Sequence, residues 1–420
     1  MGSFEFEIYF HFRFNVPSEE SQRMNKMKKS VAIWLFLAAV GCGGGDDDDG
    51  QGTPDSGGGG AADAGSSGPD GAVGACSVTP GAWAAPSFAT GAADALALRA
   101  QLDELGTLMR GAEQETMTVD DIADLTALFE AGDPSLGGVV TAGYAPVVED
   151  VFADFVALAL AGVQDLVDDE NQWTPGESGG LFGDDTRGLN TGGLEVRQLV
   201  DKGVFAGAGM YAYALGLTEG PIGESTIDAL AGAWGSNETL ATDEPTDSAN
   251  YSFAMGFHAE IAEALTRARA FAADDACAAE RDAALVTFFR AWEQSMVART
   301  VYYGNLAAGL VAAAATDTER ANALHELSEG IGLTLGFHGL QDPASGPLAG
   351  AGRVLTDADV EAIAAALGVD LADLGASTTG EFLEDPAALQ IGVESVEATV
   401  IEVFDLTPAD ILTYRAPTEG

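Results

Sequence analysis

His325 and Glu329 stand four residues apart in His325-Glu326-Leu327-Ser328-Glu329, within a stretch of helical periodicity. At that spacing an imidazole and a carboxylate share one helix face. They can bind a cation together, or they can form a local hydrogen-bonded pair that orients the helix. A zinc site needs a third ligand from elsewhere, and His258, Glu260 and His338 are the donors on offer. Lys202 is a second candidate, because every basic residue after Lys29 other than Lys202 is an arginine. A buried lysine either has its pKa lowered for catalysis or pairs with a carboxylate. Glu293 follows Trp292, and neighbours on a helix divide between core and surface, so Trp292 is expected inside and Glu293 outside. Lys202, His258, Glu293, His325 and Glu329 are therefore the candidate polar site. Tyr211, Tyr213, Tyr302 and Tyr303 are either a pocket wall or core.

Other chemistry has less to work with. The sequence contains no G-x-S-x-G elbow, phosphate-binding loop, H-E-x-x-H or calcium-loop spacing. Four histidines, one of them in the leader, are a small stock for acid–base catalysis. The three cysteines, Cys42, Cys76 and Cys277, form no C-x-x-C. If Cys42 is modified, Cys76 and Cys277 remain as an even pair that an oxidising compartment can join.

The elements that must position these residues read as helices. Leu96, Leu98, Leu102, Leu105 and Leu108-Met109 line one face of a first helix, and Ile122, Leu125, Leu128 and Phe129 mark a second helix that Gly132 closes. Further helices are predicted over 145–167, 193–217, 249–272, 276–315, 319–337, 357–367 and 395–404, with a Gly- and Asp-rich loop over 168–192 and no strand run. Leu285, Phe289, Trp292, Met296 and Tyr303 form one stripe, and Thr356 with Asp359 starts the 357–367 helix. Gly203, Gly207 and Gly209 inside 193–217 each weaken a helix by about 1 kcal/mol, which points to close approach of a neighbouring backbone. The fold class expected is all-α, a bundle of about ten helices over 76–420.

The N-terminal part is built differently. Met24 to Lys29 is positively charged, Val31 to Val40 is apolar, and Ala39-Val40-Gly41-Cys42 follows. The apolar stretch is about half the 20 residues that a membrane span needs. Residues 1–23 precede this pattern and read as a mis-assigned start. Residues 43–75 hold almost nothing that can be buried, and 42–75 reads as a disordered acidic tether with a span of about 30 Å. The whole chain carries a net charge of −48, and the part after residue 41 holds 13 basic and 62 acidic groups. Such a field repels phosphate backbones, so nucleic acid is not an expected partner.

The segment ending at Cys42 resembles the bacterial lipobox. That resemblance implies cleavage before Cys42, acyl chains on its thiol and new amine, and membrane anchoring. Gly43 rather than Asp after the cysteine implies the outer membrane, by likeness to lipoprotein sorting. Arg197-Gln198-Leu199-Val200-Asp201-Lys202-Gly203 followed by Gly207 and Tyr211, Arg290-Ala291-Trp292-Glu293 followed by Tyr302-Tyr303, His325 to Glu329, and Leu355 to Leu406 resemble patches of the bacterial domain-of-unknown-function 4856 family. Ala229 to Gly235 keeps that family's Trp and Gly but lacks its acids. Gly256-Phe257-His258-Ala259-Glu260 is similar to the GxHxxE motif of imelysin-type helical proteins, with the glutamate one residue early. These resemblances imply an envelope binding or interaction module linked to iron or another cation, or to an envelope protein partner. A metal-assisted peptidase or hydrolase using His258, His325 and Glu329, and a purely structural envelope protein, are the alternatives.

Overall fold

A computed structural model describes residues 76–113, 119–141, 172–183, 187–241, 248–343, 345–346 and 348–416. The leader, Cys42, the tether and the helix expected over 145–167 lie outside the described residues. Gly71–Gly420 is one compact unit. The fold is all-α, with fourteen α-helical segments among the described residues.

Four helices come first: α1 (Phe88–Gly91), α2 (Ala93–Glu113), α3 (Val119–Glu130) and α4 (Leu136–Thr141). The stripe of α2 is buried at Leu98, Leu102, Leu105 and Met109, while Leu96 and Leu108 at its edges are only partly buried. A two-stranded antiparallel hairpin, β1 (Gly180–Phe182) with β2 (Arg187–Leu189), occupies the stretch expected to be loop throughout. Trp173 packs on Phe182 with ring centroids 4.8 Å apart, and the Trp173 indole donates to the Asn190 carbonyl. The hairpin is held by these contacts, since two short strands alone are marginal in water.

The expected helix 193–217 is interrupted. It runs as α5 (Val196–Val200), then a π-helical turn over Asp201–Ala206, then α6 (Ala208–Leu217). Gly207 breaks the ladder between them, and a Cβ there would lie 3.2 Å from the Leu333 carbonyl and 2.7 Å from that of Lys202. The close backbone approach expected from the glycines is thus found at Gly207.

Next come α7 (Glu224–Trp234), α8 (Ser248–Ala254) and α9 (His258–Phe271). Gly256, at φ +83, separates α8 from α9 where one helix was expected. Then α10 (Ala278–Ala313) and α11 (Asp317–Leu335) run as the long central pair. Leu285, Phe289, Trp292 and Met296 of α10 are fully buried, and Tyr303 nearly so. Thr316 and Glu319 cap α11 reciprocally. Thr356 and Asp359 do the same for α12 (Asp357–Ala366), as their spacing indicates. Finally α13 (Pro386–Phe404) and α14 (Pro408–Arg415) each start with Pro at the first helical position. Cys76 and Cys277 are joined in a disulfide, fixing the start of the helical unit to the start of α10. No helix among the described residues is long and apolar enough to cross a membrane.

Candidate functional site

The crossing of α5 and its π-helical turn over α11 gathers the densest buried charge in the described structure. Gly332 of α11 makes the crossing close. A Cβ there would sit 2.9 Å from both the Gln198 carbonyl and the Lys202 Cβ, so this position has room for hydrogen only. The approach brings Lys202 Nζ to 3.0 Å from Glu329 Oε1 and lets it donate to the Tyr251 hydroxyl at 2.7 Å. Lys202 is 6% exposed and Glu329 9%, so both charges are largely removed from water.

One turn back on α11, His325 Nδ1 lies 2.7 Å from Glu195 Oε2. An ionised carboxylate can only accept, so Nδ1 carries the proton. Glu195 is wholly buried, and Arg197 Nη2 donates to its other oxygen at 2.9 Å while Nη1 reaches Asp201 at 2.7 Å. The Glu195 backbone N–H donates to Ser328 Oγ. With its amide oxygen towards Arg197 and His325, Gln198 donates to Glu329 Oε1 at 3.2 Å and satisfies every neighbour.

The electrostatics follow from this wiring. Burial pushes the Glu195 carboxyl up, but the His325 hydrogen bond and the His325 and Arg197 charges outweigh it and bring it down to about 2. Burial likewise opposes ionisation of Glu329, and Lys202, His325 and a hydrogen bond from Tyr303 hold it below its ordinary value. The Lys202 ammonium is held charged, against burial, by Tyr251 and Glu329. This is the opposite of a lysine depressed for general-base or Schiff-base work. Asp201 goes the other way, raised by burial, and one of its oxygens has no hydrogen-bond partner among the described residues.

The structure therefore brings Lys202, His325 and Glu329 together and leaves His258 and Glu293 elsewhere. His325 Nε2 is 3.7 Å from Glu329 Oε1, the one-turn meeting expected from the spacing. His258 instead bonds the Leu240 carbonyl through Nε2 at 2.8 Å and packs against Trp234 and Phe253. His338 pairs with Glu361 at 3.2 Å, on the rim of a shallow cleft of about 630 Å³ that also includes Val369, Asp370 and Thr378. Among the described residues no group of three or more His, Cys, Asp or Glu side chains is placed to hold a metal ion.

Glu293 corrects the expectation of a surface acid, for it is as fully buried as Trp292. Its oxygens accept from the backbone N–H groups of Val354 at 2.8 Å and Leu355 at 2.6 Å, so it clasps the segment before α12 onto α10. Burial pushes this carboxyl up to about 7, against the two N–H donors and the Arg353 charge, with Asp342 adding to the rise. Because its pKa in the fold exceeds the ordinary 4.5, its contribution is fully present below pH 4.5 and is lost as pH climbs through 7. The loss is roughly 3 kcal/mol. Glu293→Gln keeps one acceptor and cannot ionise. The difference in unfolding free energy between wild type and variant should therefore slope from pH 4.5 to 7 and level above it, and a flat difference would contradict the assignment.

Sequence reasoning passed over Glu195, Tyr251, Arg299 and Asp228. Asp228 is fully buried on α7, accepting from Arg269 Nε of α9 and from the Ser87 hydroxyl before α1, each at 2.8 Å. It stands just before the Ala229–Gly235 stretch and supplies an acid there. Glu195 stands two residues before the Arg197–Gly203 motif, and that proximity was the available signal.

The fold and this cluster define a class: an all-α domain whose central helix crossing is closed by a buried, internally paired ionic network. No family model, curated protein or solved structure matches the chain.

Proposed function

We propose that this protein is a lipoprotein of the bacterial outer membrane, anchored through Cys42, whose helical unit is a binding or interaction module without catalysis of its own. One observation carries the non-enzymatic part: the Glu195–His325 pair is wired inward. A carboxylate holding Nδ1–H is how a general base is oriented, but the base must then face a nucleophile or a substrate site. Here Nε2 faces Glu329, which Lys202 already occupies. The hydrolase alternative needs His258 beside this pair, and His258 is engaged with Leu240, so no geometry favours it. A purely structural role differs only in lacking a ligand.

The anchor rests on the apolar stub ending in Cys42, and the likeness to the domain-of-unknown-function 4856 family supports an envelope setting. The link to iron or another cation rests on the acidic composition and the imelysin-like segment. Mass spectrometry of the protein recovered from outer membranes is expected to find an N-terminal, acylated Cys42. A free Cys42 thiol with the leader still attached would overturn the anchored reading. For the cation link, titration with iron, zinc and calcium should give heat with at least one ion, and none from all three would remove that part.

A further inference from the structure

Several buried or partly buried cations among the described residues have carboxylate partners. Arg197, Lys202, Arg269, Arg281 and Arg353 each hold one within 3.0 Å. Arg187 donates to the Asn322 amide oxygen instead, and a different environment surrounds Arg299 of α10. It is partly buried, and among the described residues no carboxylate lies within ion-pair distance of it. Three tyrosines surround it instead, with the guanidinium carbon 4.5 Å from the ring centroid of Tyr302, 4.8 Å from Tyr303 and 5.3 Å from Tyr251. Lys202 Nζ lies 5.3 Å from the Tyr251 centroid, so that ring serves two cations.

Aromatic faces attract a guanidinium but accept none of its in-plane N–H groups. Nη2 donates to the Tyr303 hydroxyl at 3.3 Å, Nε is shielded without an acceptor, and the remaining Nη donors have no partner among the described residues. A guanidinium fork matches two coplanar carboxylate oxygens. The half-buried Tyr302 ring beside it suits an aromatic or apolar body. A single negative charge is also the least opposed by the net charge of −48, which disfavours multiply charged anions such as phosphate.

We propose that Arg299, boxed by Tyr251, Tyr302 and Tyr303, binds the carboxylate of a small organic acid. This rests on the binding-module reading and gives that module a ligand class. Calorimetric titration of the purified full chain with sodium benzoate, and separately with inorganic phosphate, tests it at concentrations up to about 10 mM. Benzoate should bind, phosphate should not, and Arg299→Met should weaken benzoate by about tenfold or more while the exposed Arg290→Met leaves it unchanged. Arg299→Lys keeps the charge but not the fork, so a similar loss there separates recognition from misfolding. The proposal is overturned by benzoate failing to bind, by equal binding to the Arg299 variants, or by phosphate binding in its place. None of those results touches the anchored module. Chemical conversion of benzoate would instead overturn the non-enzymatic reading itself.

Discussion

Lys202→Met is expected to lower the unfolding free energy by about 3–5 kcal/mol, among the largest effects any single substitution in this fold should have. The methionine nearly matches the lysine in volume, so little of the loss is packing. It comes from the Glu329 carboxylate, which stays 9% exposed with its nearest charge removed. His325 Nε2 at 3.7 Å is too far to replace a 3.0 Å ammonium contact. The Tyr251 hydroxyl loses its donor as well. Part of the penalty will appear as a raised Glu329 pKa, because the group can escape by taking a proton. The deficit should therefore shrink as pH falls towards the ordinary glutamate value of 4.5, and go on shrinking below it as the wild-type ion pair is lost. Chemical denaturation of wild type and variant at neutral and mildly acid pH measures both effects.

Reduction of the Cys76–Cys277 disulfide should cost about 4–5 kcal/mol. The two cysteines are 201 residues apart in sequence, and closing so long a loop removes much of the unfolded chain's freedom. Cys277 is fully buried, so Cys277→Ser adds a small polar-burial penalty, whereas reductant on the wild type does not. Denaturant midpoints with and without reductant give the result. A protein indifferent to reductant would mean that the bond contributes nothing to the folded unit. Persistence of the bond requires an oxidising compartment, in keeping with the proposed envelope location.

What could be read from the sequence was what is local. The α2 stripe, the α10 stripe and the Thr356–Asp359 cap depend on contacts within about a turn, and each is where the spacing placed it. The His325–Glu329 meeting is local in the same sense. The interruptions escaped notice because tertiary contacts cause them. Gly207 breaks its helix against the Leu333 carbonyl, more than a hundred residues away, and the β1–β2 hairpin leans on Trp173 and Asn190. The site was half visible for that reason. Lys202 stood out by its rarity, but Glu195 pairs with a histidine 130 residues further on, which no local pattern marks. Glu293 was misplaced because helical periodicity ranks an acid as surface, and only the backbone N–H groups of Val354 and Leu355 make its burial tolerable. His258 was grouped with the others by residue type alone, and its ring serves the Leu240 turn instead.

The view that the Lys202–Glu329 pair closes a structural network, and is not held ready for chemistry, is tested most directly by the Lys202→Met/Glu329→Leu double variant. Replacing both partners of a buried pair by apolar groups of similar volume leaves no orphaned charge and is often neutral or stabilising. The double variant should return to within about 1 kcal/mol of wild type, or exceed it, from a single variant that lies about 3–5 kcal/mol below. A Lys202→Met protein as stable as wild type, or a double variant no better than the single, would contradict it.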